Sequence, residues 1–145
     1  MDILFTLDEA YAAYLQSAAE LNRQTNRPAG MFQRLLGSGR NPGDAQLNPD
    51  FYHKIEGILQ AFAAESPDSA TVRAAAEKMF SLAAAHADNG VAKWMLIAVQ
   101  GLLAPLVPCL SAEDRAALAQ AYAAQYPRSE RFPTQETLYH TLISS

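Results

Sequence analysis

The stretch from Trp94 to Leu110 constrains this chain more than any other, because it holds 17 consecutive residues without a charge. Trp94, Met95, Leu96, Ile97, Val99, Leu102 and Leu103 cover every side of a helical wheel, and Gln100 alone interrupts them. A helix apolar all round either lies in a protein core or crosses a membrane. This run is at the bottom of the spanning range, and Pro105 and Pro108 break it before a span is complete. The expectation is therefore a central buried helix over 91–105 and no membrane partner. Ala98, Gly101 and Pro105 line one side of it, where a neighbouring helix is expected to approach closely.

The flanking segments supply amphipathic stripes to pack on that helix. Leu7, Tyr11, Tyr14, Ala18 and Leu21 step by four and three, predicting a helix from about Leu7 to Gln24, with Thr6 and Glu9 at capping-box spacing. Asn48-Pro49 reads as an N-cap followed by proline at the first helical position, opening a helix to about Glu65. Its stripe is Phe51, Ile55, Ile58, Leu59 and Phe62. Ser66-Pro67 ends that helix and starts another, which runs to about Asp88 and stops at Asn89-Gly90. Ser111 with Asp114 opens a further helix, in which Leu118, Ala121, Tyr122 and Tyr126 are expected to face inward. A last short helix after Thr134 carries Leu138, Leu142 and Ile143. Residues 25–48 form a loop-rich connection, with a short helix holding Met31, Phe32, Leu35 and Leu36.

Composition agrees with helices throughout. The chain holds 28 alanines against 15 valines, isoleucines and threonines combined, and β-branched residues are the ones that favour strands. At 145 residues one domain over 1–145 is expected, an all-α bundle of about six helices, five of them long. The net charge of −4 argues against a nucleic-acid binder. Charged residues make up 18% of the chain, below the usual share of about 25%. Part of the surface is therefore expected to be covered by another protein or by a second copy, as in a homodimer. The single cysteine, Cys109, has no disulfide partner, and no basic, apolar leader opens the chain. The expected compartment is the cytoplasm.

Candidate chemistry is sparse. His53 with Glu56 and Glu136 with His140 have helical spacing, and His86 lies on an apolar stripe two residues before Asp88. A metal needs three or four such groups to converge, and these pairs read as helix-surface pairs, so neither a metal nor a cofactor is expected. Leu36-Gly-Ser-Gly-Arg-Asn-Pro-Gly43 resembles a phosphate cradle in composition alone, lacking the strand and helix that such a loop needs. Cys109 has no histidine near it in sequence and Gly-x-Ser-x-Gly is absent, so nucleophilic catalysis finds no footing. Tyr11, Tyr14, Tyr122 and Tyr126 fall on inward faces and suit a core rim, or else the wall of an inter-helical ligand pocket.

The strongest local asymmetry is Arg23, Arg27, Arg34 and Arg40, with no acid between Arg23 and Asp44. Arginine forks bind carboxylate or phosphate bidentately. Arg27, Arg34 and Arg40 are thus the candidate binding residues of an anion or acidic-partner site; the alternative is a solvated, charge-biased loop. The functional expectation is a non-catalytic interaction or regulatory domain. An anion- or nucleic-acid-contacting module using the Arg23–Arg40 loop, and a small-molecule-binding or enzymatic pocket between helices, are the alternatives.

Overall fold

The structure, a computed structural model, describes residues 1–25 and 42–144. It is all-α, with six α-helices and no strand among the described residues. Helix α1 spans Ile3–Thr25, so it begins a turn before the expected start. Asp2 is the reason. Its carboxylate accepts the Phe5 N–H at 3.2 Å and its carbonyl accepts the Thr6 N–H at 3.0 Å. Thr6 therefore lies inside the helix and its hydroxyl donates back to the Asp2 carbonyl at 2.8 Å. The Thr6–Glu9 capping box does not form. Ile3, Leu7, Ala10, Tyr11, Tyr14, Ala18 and Leu21 make the buried stripe.

Helix α2, Pro42–Ala64, runs straight through the expected start at Asn48-Pro49. An interior proline lacks one helical hydrogen bond and costs about 3 kcal/mol. Contacts with α1 offset this cost. The Asn48 side chain, instead of capping, accepts the Tyr14 hydroxyl at 2.7 Å. Phe51 stacks on Tyr14 at 4.1 Å and meets Tyr11 edge-on at 5.2 Å. Tertiary contact thus overrides a sound local start signal.

The chain turns at Ser66, whose φ of 52° is left-handed, and re-enters a helix at α3, Ser69–Ala85. Asp68 caps α3 by accepting the Thr71 N–H at 2.8 Å. Hydrogen bonding to Thr71 in turn holds the Asp68 carboxyl below its ordinary range. The helix ends at His86, short of Asp88. Asn89 then works forward, since its side-chain oxygen accepts the N–H groups of Val91 and Ala92 at 3.2 Å each. An asparagine that reads as a stop thereby also holds the turn that leads into the next helical segment.

The central apolar segment is helical in two styles. Lys93–Ala98 is a short α-helix, α4, and Val99–Cys109 is a 3₁₀ stretch containing both prolines. Runs beyond about four residues are uncommon for 3₁₀ geometry. Leu96, Val99, Leu103, Leu106 and Val107 are buried, and the stretch packs against α2, α3 and the last helix. It is the expected core pillar, but on one side only. Trp94, Ala98, Gly101, Pro105 and Pro108 are exposed. No neighbour reaches Gly101, where an added Cβ would meet nothing within 4 Å. The close helix approach expected at Ala98–Gly101–Pro105 does not occur within the described chain.

Helix α5, Ala112–Gln125, starts at Ser111, whose hydroxyl accepts the Asp114 N–H at 3.1 Å. Leu118, Ala119 and Tyr122 are buried and Tyr126 is partly buried, while Ala121 points outward. The buried stripe therefore runs through Ala119 rather than Ala121. A short 3₁₀ turn, Arg128–Glu130, leads to helix α6, Pro133–Ile143. Leu138 and Leu142 are buried there, and Ile143 is half exposed. Among the described residues no helix is long and apolar enough to cross a membrane.

Candidate protein-interaction surface

Arg27, Arg34 and Arg40 lie outside the described residues, as do 36–41 of the glycine-containing stretch. Arg23 is exposed on α1, and its Nη2 pairs with Glu20 Oε2 at 2.6 Å one turn away. The histidine pairs form as helix-surface pairs, His53 with Glu56 at 3.5 Å and His140 with Glu136 at 3.4 Å. Among the described residues no three metal-ligating side chains converge. His86 sits at the C-terminal end of α3.

The tyrosines close the core. Burial pushes the phenols of Tyr11, Tyr122 and Tyr126 above their ordinary value. They stay neutral near pH 7 and cannot serve as bases there. The Tyr126 hydroxyl accepts from the Gln100 amide at 3.2 Å and the Gln125 amide at 3.0 Å, and Gln125 also donates to the Phe80 carbonyl at 3.1 Å. Gln100, the one polar break in the apolar segment, is thereby tied to Tyr126 at the end of α5. A small apolar void lies between the 3₁₀ stretch, α3, α5 and α6. It is lined by residues such as Val72, Phe80, Leu103 and Leu138, with no tyrosine or histidine. Its free volume of about 10 Å³ holds roughly one water. This void cannot admit an organic ligand.

A polar clasp joins the starts of α3 and α5. The Ser69 hydroxyl accepts the Ser111 N–H at 2.7 Å and donates to Asp114 Oδ2 at 2.5 Å. Arg73 bonds Asp114 Oδ1 at 2.9 Å and Glu77 Oε1 at 2.6 Å. Hydrogen bonds from Ser69, then Arg73, hold the Asp114 carboxyl below its ordinary range. Every acid in this cluster is already engaged by a donor, which makes it a structural tie.

The outer face of the central segment is different. Trp94 is 53% exposed and Phe132 50% exposed, and their rings meet edge to face at 5.1 Å and 84°. Lys93 Nζ lies 4.9 Å from the centre of the Trp94 ring. Both rings stand on fixed supports. The Asn89 side chain holds the turn before Trp94. The Phe132 N–H donates to the buried Gln135 side chain at 2.9 Å. Next to Phe132, the Arg131 side chain is only 6% exposed. It lies 4.3 Å over the Tyr139 ring, with Glu136 at 3.3 Å. From Trp94 the exposed small residues Ala98, Gly101, Pro105 and Pro108 continue along the segment at steps of three and four. The result is an aromatic anchor at the head of a smooth strip.

Counting Trp94 among the core residues concealed this surface in the sequence. Apolar residues inside is a one-way rule, and a single exposed tryptophan has no local signature. No protein-family model, curated protein or solved structure matches this chain.

Proposed function

We propose that this protein is a non-catalytic interaction domain that docks another polypeptide on Trp94 and Phe132. The observation that carries the reading is the half exposure of two rings that meet each other edge to face. Tryptophan is among the residues most enriched at binding hot spots. Large aromatic side chains bury about 150–250 Å² each. The exposed halves of both rings are therefore worth about 4–6 kcal/mol on burial, at about 25 cal/mol per Å². Association itself costs about 4 kcal/mol or more. The rings alone are thus marginal, and the strip from Ala98 to Pro108 supplies the remaining contact area. It offers no long side chain that must be immobilised.

The test is affinity co-purification with wild-type protein and with the double variant Trp94→Ala/Phe132→Ala, both checked for folding by thermal melting. A partner that is retained by wild type and lost by the folded double variant is expected. A folded double variant that retains every partner with undiminished yield overturns the assignment.

A further inference from the structure

An open groove of about 580 Å³ runs between α5 and α6. Its floor on α5 is Ala112, Ala116, Ala119 and Ala123, which step by four, three and four along one helix face. Tyr139, Leu142 and Ile143 of α6 face that floor. Ile143 is 50% exposed, so a large apolar side chain is left bare there. The Arg131 guanidinium lies 4.3 Å over the Tyr139 ring and backs this wall.

Arg115 is the one charged residue that lines the groove among the described residues. Its side chain makes no ion pair among them. The nearby acids are otherwise placed. Asp114 is held by Ser69 and Arg73. Glu113 is two residues from Arg115, and helical residues two apart do not face each other. Glu136 on α6 is engaged by Arg131 at 3.3 Å and His140 at 3.4 Å. In a chain of net charge −4, the groove therefore offers a single positive charge and no carboxylate. That charge sits toward one end. Ala123 is eight residues further along α5, about 12 Å at 1.5 Å per residue.

We infer that this groove binds a small amphiphile with an oxyanion head, carboxylate or phosphate, and an apolar tail. Arg115 takes the head, since a guanidinium fork pairs with either oxyanion. The tail lies along the alanines toward Ala123 and covers Ile143. Alanine has no side-chain rotamer to lose, so the floor is ordered before binding. The volume falls within the range of about 300–1,000 Å³ usual for small-molecule sites. Neither Trp94 nor Phe132 lines the groove, so this inference stands apart from the docking surface proposed above. Arg115 also borders a neighbouring groove of about 700 Å³, with Thr137, His140 and Thr141. The exposed Ile143 assigns the tail to the alanine side.

Isothermal titration calorimetry of the full chain tests this with dodecanoate, dodecyl phosphate, octanoate, octanol and acetate, all below micelle-forming concentrations. Dodecanoate or dodecyl phosphate should bind, and the tighter of the two identifies the head. Octanoate should bind about 10-fold more weakly than dodecanoate or worse, because each buried CH₂ is worth up to about four-fold. Acetate should give no binding heat. Arg115→Gln should weaken binding of the twelve-carbon anions about 10-fold or more. Ala116→Phe and Gln120→Phe, both at exposed positions lining the groove, should each fill it and abolish binding. Thr137→Phe should leave binding intact. Every variant is checked by thermal melting, and either groove-filling variant suffices if the other fails to fold. Wild type that binds neither twelve-carbon anion overturns the site. Undiminished binding by folded Arg115→Gln, or octanol binding as tightly as octanoate, overturns the head assignment. Binding that survives Ala116→Phe or Gln120→Phe and is lost in Thr137→Phe overturns the alanine groove in favour of its neighbour. None of these outcomes bears on the co-purification test of Trp94 and Phe132.

Discussion

Two aromatic pairs in this protein have similar ring spacings and opposite consequences. Tyr14 and Phe51 stack at 4.1 Å between α1 and α2 and are buried. Trp94 and Phe132 meet at 5.1 Å between α4 and α6 and are half exposed. In the first pair the ring faces are wholly used by the chain itself, and the Tyr14 hydroxyl is held by Asn48. In the second, the pairing fixes two rings in place while leaving half their area to solvent. An aromatic contact therefore says little about role until the remaining area is accounted for.

The largest expected effect separates the two pairs. Phe51→Ala should lower stability by about 3–5 kcal/mol, the range for truncating a buried aromatic. Trp94→Ala should cost less than about 1 kcal/mol, close to the range for surface sites, and should act on binding instead. Chemical denaturation of both variants checks this, and comparable losses at the two sites would erase the distinction. Next comes the alkaline limb. Tyr11 and Tyr122 are raised by burial, while the unfolded phenols titrate near pH 10. The folded state thus keeps protons that the unfolded chain gives up. Stability should be complete below about pH 10 and fall as pH rises through the raised folded values. The pH dependence of the melting temperature reads this directly.

Tyr14→Phe removes the bond to Asn48 and should cost about 1 kcal/mol. Tyr11→Phe should cost nothing at neutral pH, because the Tyr11 hydroxyl is buried without a hydrogen-bond partner among the described residues. It should also flatten the alkaline limb. A loss comparable to that of Tyr14→Phe would mean that the Tyr11 hydroxyl has a partner in solution. A small gain is expected at Ser66, where a non-glycine residue in the left-handed region costs about 1–2 kcal/mol. Ser66→Gly relieves that but frees the unfolded chain by about 0.5–1 kcal/mol. The net gain should be about 0.5 kcal/mol, readable as a small rise in melting temperature.

Much of the architecture was legible in the sequence because periodicity is carried by neighbours three and four residues apart. The stripes Leu7–Tyr11–Tyr14–Ala18–Leu21 and Phe51–Ile55–Leu59–Phe62 are the buried faces observed. Boundaries were less legible. Thr6, Asn48 and Asn89 are all good capping residues, yet Thr6 and Asn48 lie inside helices and Asn89 opens the segment after it. A side-chain oxygen can accept from several backbone or side-chain donors, and competing partners decide among them. For Asn48 the partner is Tyr14, 34 residues away.

The chain's own residues determined that it is helical, that a proline-broken apolar segment lies at its centre, and which stripes face inward. Those properties arise from local propensity and from the spacing of apolar side chains. Tertiary structure alone decided that the central segment is one-sided, with Leu96 and Leu103 in the core and Trp94 at the surface beside Phe132. A helix apolar on every side has no preferred face of its own, and the neighbours packed against it settle which residues remain for a partner.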